Sequence, residues 1–240
     1  MPTPLPCRAL WATLLWLLLA AVGPRAAAST PINEHVVAVL QGYPLDGRTP
    51  YAWRAGEHLD GVTRPLSWQG TLVAAPSPAG AVHCSGITFE VYLQALERAQ
   101  GGQRGLSSAA LLALKESWYV RDGGRSGPAG ALMAAGLGLP VHRVEDLLPG
   151  DIVQFWRNSG RGHSAIVTGH TYRRSGAVRG IEFWSAQSSS GGLGRRYVSV
   201  GPSEHQITPG ELYAVRPTLP TIEARSARRQ MDLPSGPEPR

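Results

Sequence analysis

The hydrophobic pattern of this chain changes period at Leu148-Pro149-Gly150-Asp151, and that switch limits the folds open to it. Upstream, apolar residues recur at helical spacing. Ile32, Val36, Val37 and Leu40 share one face, with Thr30 or Asn33 placed to cap the start. Ile87, Val91, Ala95 and Ala99 form a second stripe, flanked by Tyr92 and Leu96. Residues 106–119 give a third helix with Ser107 or Ser108 as cap, and 128–136 a short fourth. Downstream the runs are short and β-prone, at 152–156, 164–168, 180–187, 197–200 and 212–215. Glycine-rich turns are expected at 159–162 and 191–194, and irregular structure across 42–80. Helices first and strands afterwards predict an α+β fold, with N-terminal helices packed on a central antiparallel five-stranded sheet.

Residues 1–28 have the pattern of a signal peptide: Arg8, a near-continuous apolar run from Leu10 to Val22, and Ala26-Ala27-Ala28 as a cleavage site. The expected organisation is therefore a signal peptide at 1–28, one domain at 29–216 and a disordered tail at 217–240. The tail has five prolines and few apolar residues. Cleavage would place the protein outside the cytoplasm, secreted or in the cell envelope. No second segment is long and apolar enough to span a bilayer. Losing Arg8 and Arg25 takes the formal charge from +6 to +4. That balance suits an anionic partner such as a cell wall, but no basic stretch with interleaved aromatics points to nucleic acid. A monomer is the default expectation.

Loss of the leader also removes Cys7 and leaves Cys84 alone. Exported proteins usually pair their cysteines, so a lone thiol asks for a chemical reason. Cys84 stands at a predicted helix start, in His83-Cys84-Ser85-Gly86, where the positive end of the helix favours the reactive thiolate. A thiol nucleophile needs a base, and His163 is the best candidate: it opens a strand after Gly160-Arg161-Gly162, where its ring can aim at a helix packed on the sheet. The sulfur and the imidazole are expected to meet as an ion pair. The base needs an orienting group from the next strand, where Ile181, Phe183, Ser185 and Gln187 share a face. Ser185 and Gln187 both qualify, and the Gln187 carbonyl is the better acceptor for an imidazole N–H. His83 is too close in sequence to serve as the base. The backbone N–H groups at the helix start would hold an oxyanion. No His-Glu-x-x-His or paired cysteines suggest a metal, and no cofactor is expected.

Four ordered blocks sharpen this reading. Thr49-Pro50-Tyr51-Ala52-Trp53, Cys84-Ser85-Gly86, Leu148-Pro149-Gly150-Asp151-Ile152-Val153 and Gly162-His163-Ser164-Ala165-Ile166-Val167 follow one another as in NlpC-type cell-wall cysteine peptidases. The chain resembles a divergent member of that family. The resemblance implies a compact papain-like fold, Cys84 as nucleophile, His163 as base, a third polar residue near Ser185 or Gln187, and Tyr51 beside the thiol with His83 and Ser85 in support. It implies cleavage of peptidoglycan stem peptides. His83 replaces the family's usual aspartate, which departs from specificity for a free N-terminal L-alanine. Three other readings keep the same scaffold: a CHAP-type amidase, an acyl transferase working through a thioester, and a catalytically inactive wall-binding module.

Overall fold

The computed structural model describes residues 29–46, 48–53, 59–101, 105–119 and 124–220. The expected signal peptide, residues 221–240 of the expected tail, and His58 lie outside them. In chain order the elements are α1 (Asn33–Leu40), a hairpin of β1 (Leu66–Trp68) and β2 (Thr71–Ala74), α2 (Cys84–Gln100), α3 (Ser108–Trp118) and α4 (Gly127–Ala134). There follow β3 (Gly138–Val141), β4 (Ile152–Arg157), β5 (Gly162–Tyr172), β6 (Val178–Gln187), β7 (Gly192–Ser199) and β8 (Ile207–Pro217). The architecture is α+β, and the main sheet is antiparallel with order β3-β8-β4-β5-β6-β7.

The sheet has six strands rather than five. The additional strand, β3, contains Gly138 and Pro140 and lies at an edge beside β8, where a proline costs no ladder hydrogen bond on its open side. The β1–β2 hairpin also occupies a region expected to be irregular. Its turn, Gln69-Gly70, has φ of 51° and 80°, the pair of left-handed residues that a tight hairpin requires. Gly192 opens β7 instead of a turn, because a side chain there would collide with the backbone of Thr49.

The domain also extends beyond residue 216. Pro217 O accepts from Ile32 N–H at 2.9 Å, and Leu219 N–H donates to Thr30 O at 2.9 Å. Thr218 is buried and bridges Pro31. These bonds make 217–219 part of the folded unit rather than the start of a tail.

Helix α2 is the centre of the molecule. The amphipathic stripe read from sequence understates its burial, since every residue from Cys84 to Leu93 is buried. One of them is Glu90, whose carboxylate would be costly without partners. It accepts from Thr63 N–H and Thr63 Oγ1, each at 2.6 Å, and from Tyr43 OH at 2.8 Å, and it lies 3.3 Å from Arg64 Nε. The helix core includes Ile87, Val91 and Leu96, and Ile152, Ile166, Trp184 and Val215 from one face of the sheet. Val153, Phe155, Ala165, Val167 and Phe183 make a second core on the opposite face.

Candidate active site

The start of α2 is built by His83. Its backbone is extended, and its Nδ1 accepts from Gly86 N–H at 3.1 Å, in the usual manner of an N-cap. Its Nε2 lies 2.9 Å from Leu59 O, so the proton is on Nε2 and the ring is neutral. Trp53 and Tyr119 pack edge-on against it at 5.1 Å and 5.4 Å. A side chain at Gly86 would strike the backbone of Asp60 and Gly61, so glycine is what lets this loop cross the helix start. His83 is thus a capping residue, placed to hold the helix rather than to move protons. It uses the Gly86 N–H, leaving those of Cys84 and Ser85 at the open end of α2.

Cys84 is 9% exposed. Its Sγ is 4.0 Å from Ser85 Oγ, which lies 3.2 Å from Ser164 Oγ, and Ser164 donates to Gln154 Oε1 at 2.7 Å. With the Ser164 proton directed to Gln154, Ser85 donates to Ser164 and presents lone pairs toward the sulfur. This buried chain was not visible in the sequence. Ser185, one of the two candidates for the orienting role, instead donates to the Ser164 carbonyl at 2.7 Å.

His163 lies directly opposite Phe155 at the start of β5. Strand alternation puts Ser164 toward α2 and His163 on the other face, with Ala165 and Val167. The expectation that its ring aims at the helix across the sheet is therefore corrected: Ser164 holds that position. The His163 ring packs against Phe155 and Phe183 at 5.4 Å and 5.5 Å. It borders a cleft of about 590 Å³ at the end of the sheet, together with Tyr51, Arg157 and Gln187.

Burial drives the His163 pKa down from 6.5 to about 3, assisted by the positive charge of Arg157. The Gln187 amide beside the ring acts against this. The alignment is poor, since His163 Nε2 and Gln187 Nε2 are each buried without a well-placed partner. Of the two candidates, then, Gln187 is the one set beside the histidine. The resting ring is neutral, which departs from the ion pair expected from sequence.

Tyr51 and Arg157 connect the cleft to the cysteine. The segment around Tyr51 is clamped to Val82, with Ala52 N–H donating to Val82 O at 3.0 Å and Val82 N–H to Pro50 O at 2.9 Å. Burial, and then the proximity of Cys84, raise the Tyr51 pKa to about 12. Burial lowers that of Arg157, Cys84 opposes the shift, and Arg161 adds to it. Both side chains thus lie within electrostatic reach of Cys84 and line the same cleft as His163. Arg157 was not singled out from sequence, although its spacing of two from Phe155 puts it on the face that carries His163. His170 is half-buried with Nε2 2.8 Å from Val144 O, and His205 is exposed at the cleft rim. Among the described residues, no group of three His, Cys, Asp or Glu side chains could hold a metal.

No family model, curated protein or solved structure matches the chain. What the site can do chemically follows from its own residues: a thiol at a helix start, two backbone donors beside it, and a neutral imidazole in an arginine-bearing cleft.

Proposed function

We propose that this protein is an exported cysteine hydrolase that cleaves amide bonds in peptidoglycan stem peptides. The observation that carries the reading is that Tyr51 and Arg157, both within electrostatic reach of Cys84, line one cleft with His163 and Gln187 at the end of the sheet. The ordered resemblance to NlpC-type peptidases, with the papain-like fold it implies, supports the choice of substrate.

In this reading, substrate binding brings the His163 ring, which rests on the face away from α2, to the thiol, and Cys84 Sγ attacks the scissile carbonyl carbon while His163 takes the thiol proton. The carbonyl oxygen gains the negative charge and is held by the N–H groups of Cys84 and Ser85. Collapse of the adduct breaks the C–N bond, and His163 gives its proton to the departing amine. Water then hydrolyses the thioester, again with His163 as base, restoring the thiol and releasing a carboxylic acid. Gln187 orients the ring as a neutral group, so it supplies direction without charge. The CHAP-type amidase and the thioester acyl transferase use the same first step and differ in the bond cleaved or in the final acceptor.

A specific observation favours a second reading, an inactive wall-binding module: the resting His163 is held neutral and Cys84 is nine-tenths buried. One experiment separates the two. Purified sacculi are digested with the wild-type chain and with Cys84→Ala, and the released fragments are weighed by mass spectrometry. New peptide termini from the wild type alone support the peptidase. Release of intact stems identifies an amidase. Wall binding without products supports the inactive module and refutes the hydrolase.

A further inference from the structure

The cleft beside His163 is cationic throughout. Arg157, Arg161 and Arg196 line it with His205 at the rim, and among the described residues no aspartate or glutamate contributes to its walls. Among the described residues, none of these arginines has a carboxylate partner. Arg157 is half-buried and lies over the Phe155 ring at 4.9 Å, and Arg161 works against its charge. Arg196 is fixed in place: its Nη1 donates to Arg195 O at 3.1 Å and its Nη2 to Ser189 O at 2.5 Å.

Exposed arginines are ordinary, and Arg161 or Arg196 alone would carry no argument. Gathering like charges around a partly desolvated guanidinium is different, because each raises the cost of the others unless an anion joins them. Guanidinium groups fit the planar or tetrahedral oxygens of carboxylates and phosphates. Ser188 and Ser189 add hydroxyl groups at the same wall.

We propose that the cleft is a receptor for an oxyanion carried by the substrate, a carboxylate or a phosphate, held by Arg157, Arg161 and Arg196 beside Cys84 and His163. The assignment to a substrate rests on the hydrolase reading; the binding site itself does not. Filling the site has a consequence for catalysis. The titratable and charged groups that line the cleft with His163 are Arg157, Arg161, Arg196, Tyr51, Tyr197 and His205, and Arg157 is the one whose charge opposes protonation of the ring. An anion on Arg157 offsets that field, so a seated acidic substrate makes the His163 ring easier to protonate than a neutral one does, while the larger effect of burial stays.

The test uses the full chain carrying Cys84→Ala, in which binding cannot be confused with turnover. N-acetylglutamate and inorganic phosphate are titrated separately by calorimetry at fixed ionic strength. Saturable binding of at least one probe is expected, weakened at least tenfold by Arg157→Gln or Arg161→Gln. Which probe binds identifies the source of the oxyanion. No saturation with either probe, or binding unchanged in both variants, overturns the site. In the wild-type chain the His163 ring is then titrated by NMR with and without the better probe. An upward shift in the presence of the anion, absent in Arg157→Gln, supports the coupling; an unmoved titration overturns it. A chain that binds the anion but leaves sacculi intact would sink the hydrolase reading while the anion site stands.

Discussion

Acidification should destabilise this protein through one residue, His163. In the folded chain its pKa is about 3, against 6.5 for an ordinary histidine. Between these values the unfolded chain binds a proton that the folded chain refuses. Stability is therefore full above pH 6.5 and falls as pH drops toward 3. The slope from one such group approaches about 1.4 kcal/mol per pH unit, which sums to about 2.7 kcal/mol between pH 7.5 and 4.5. Other groups also respond to acid, so the measurement is a difference. Urea unfolding is followed for wild type and His163→Gln at several pH values from 7.5 to 4.5. The advantage of wild type over the variant should shrink, or its deficit grow, by the amounts given. Parallel curves would show that the ring is not held neutral. A wild type that gains on the variant as pH falls would mean that an imidazolium is stabilised in the resting site, restoring the ion pair and refuting the argument from burial and Arg157.

Other outcomes follow from the same geometry. Iodoacetamide should label Cys84 in the resting chain more slowly than a free thiol at the same pH, because the residue is buried; faster labelling would indicate a preformed thiolate pair. His83→Ala should cost about 1–2 kcal/mol for the lost cap alone, whereas His83→Asn should recover much of that part, as read by thermal melting. Gly86→Ala should be among the most damaging single changes at the site, since its methyl group meets the backbone of Asp60; near-native unfolding would show that the loop can move aside. Ser164→Ala removes the hydroxyl between Ser85 and Gln154 and should cost about 1–3 kcal/mol while changing the pH profile of Cys84 alkylation; a stability loss with an unchanged profile would give the chain a structural role only.

The sequence revealed the elements that carry strong period and hid those defined by partners. Helix α2 could be read from its stripe, and Ser107 was correctly among the candidate caps. β4, β5, β6 and β8 follow from runs of apolar, β-prone residues. β3 was hidden because Gly138 and Pro140 read as breakers, and only the free side of an edge strand makes them acceptable. The α1 cap was misplaced for a similar reason. Asn33 donates to Pro149 O and Asp151 Oδ1, partners more than a hundred residues away, and Ile32 takes the cap position without a side-chain bond. At the site, Cys84, His163 and Gln187 were named from local context and alternation. Alternation also contained the error: the same period of two that joined Gln187 to His163 turns His163 away from α2 and brings Ser164 toward it. Arg157, Gln154 and Arg196 could be found only once the register of β4, β5 and β7 was known.

The clasp between residues 30–32 and 217–219 brings both ends of the folded unit to one place. That place is the far end of the sheet: β8 pairs with Arg157 near its first residue, Ile207, and reaches Pro217 after about 30 Å of extended chain. A reporter or an immobilising linker joined at either end would project away from the arginine cleft. The folded unit can thus be anchored at residue 30 or 219 with its arginine cleft facing outward.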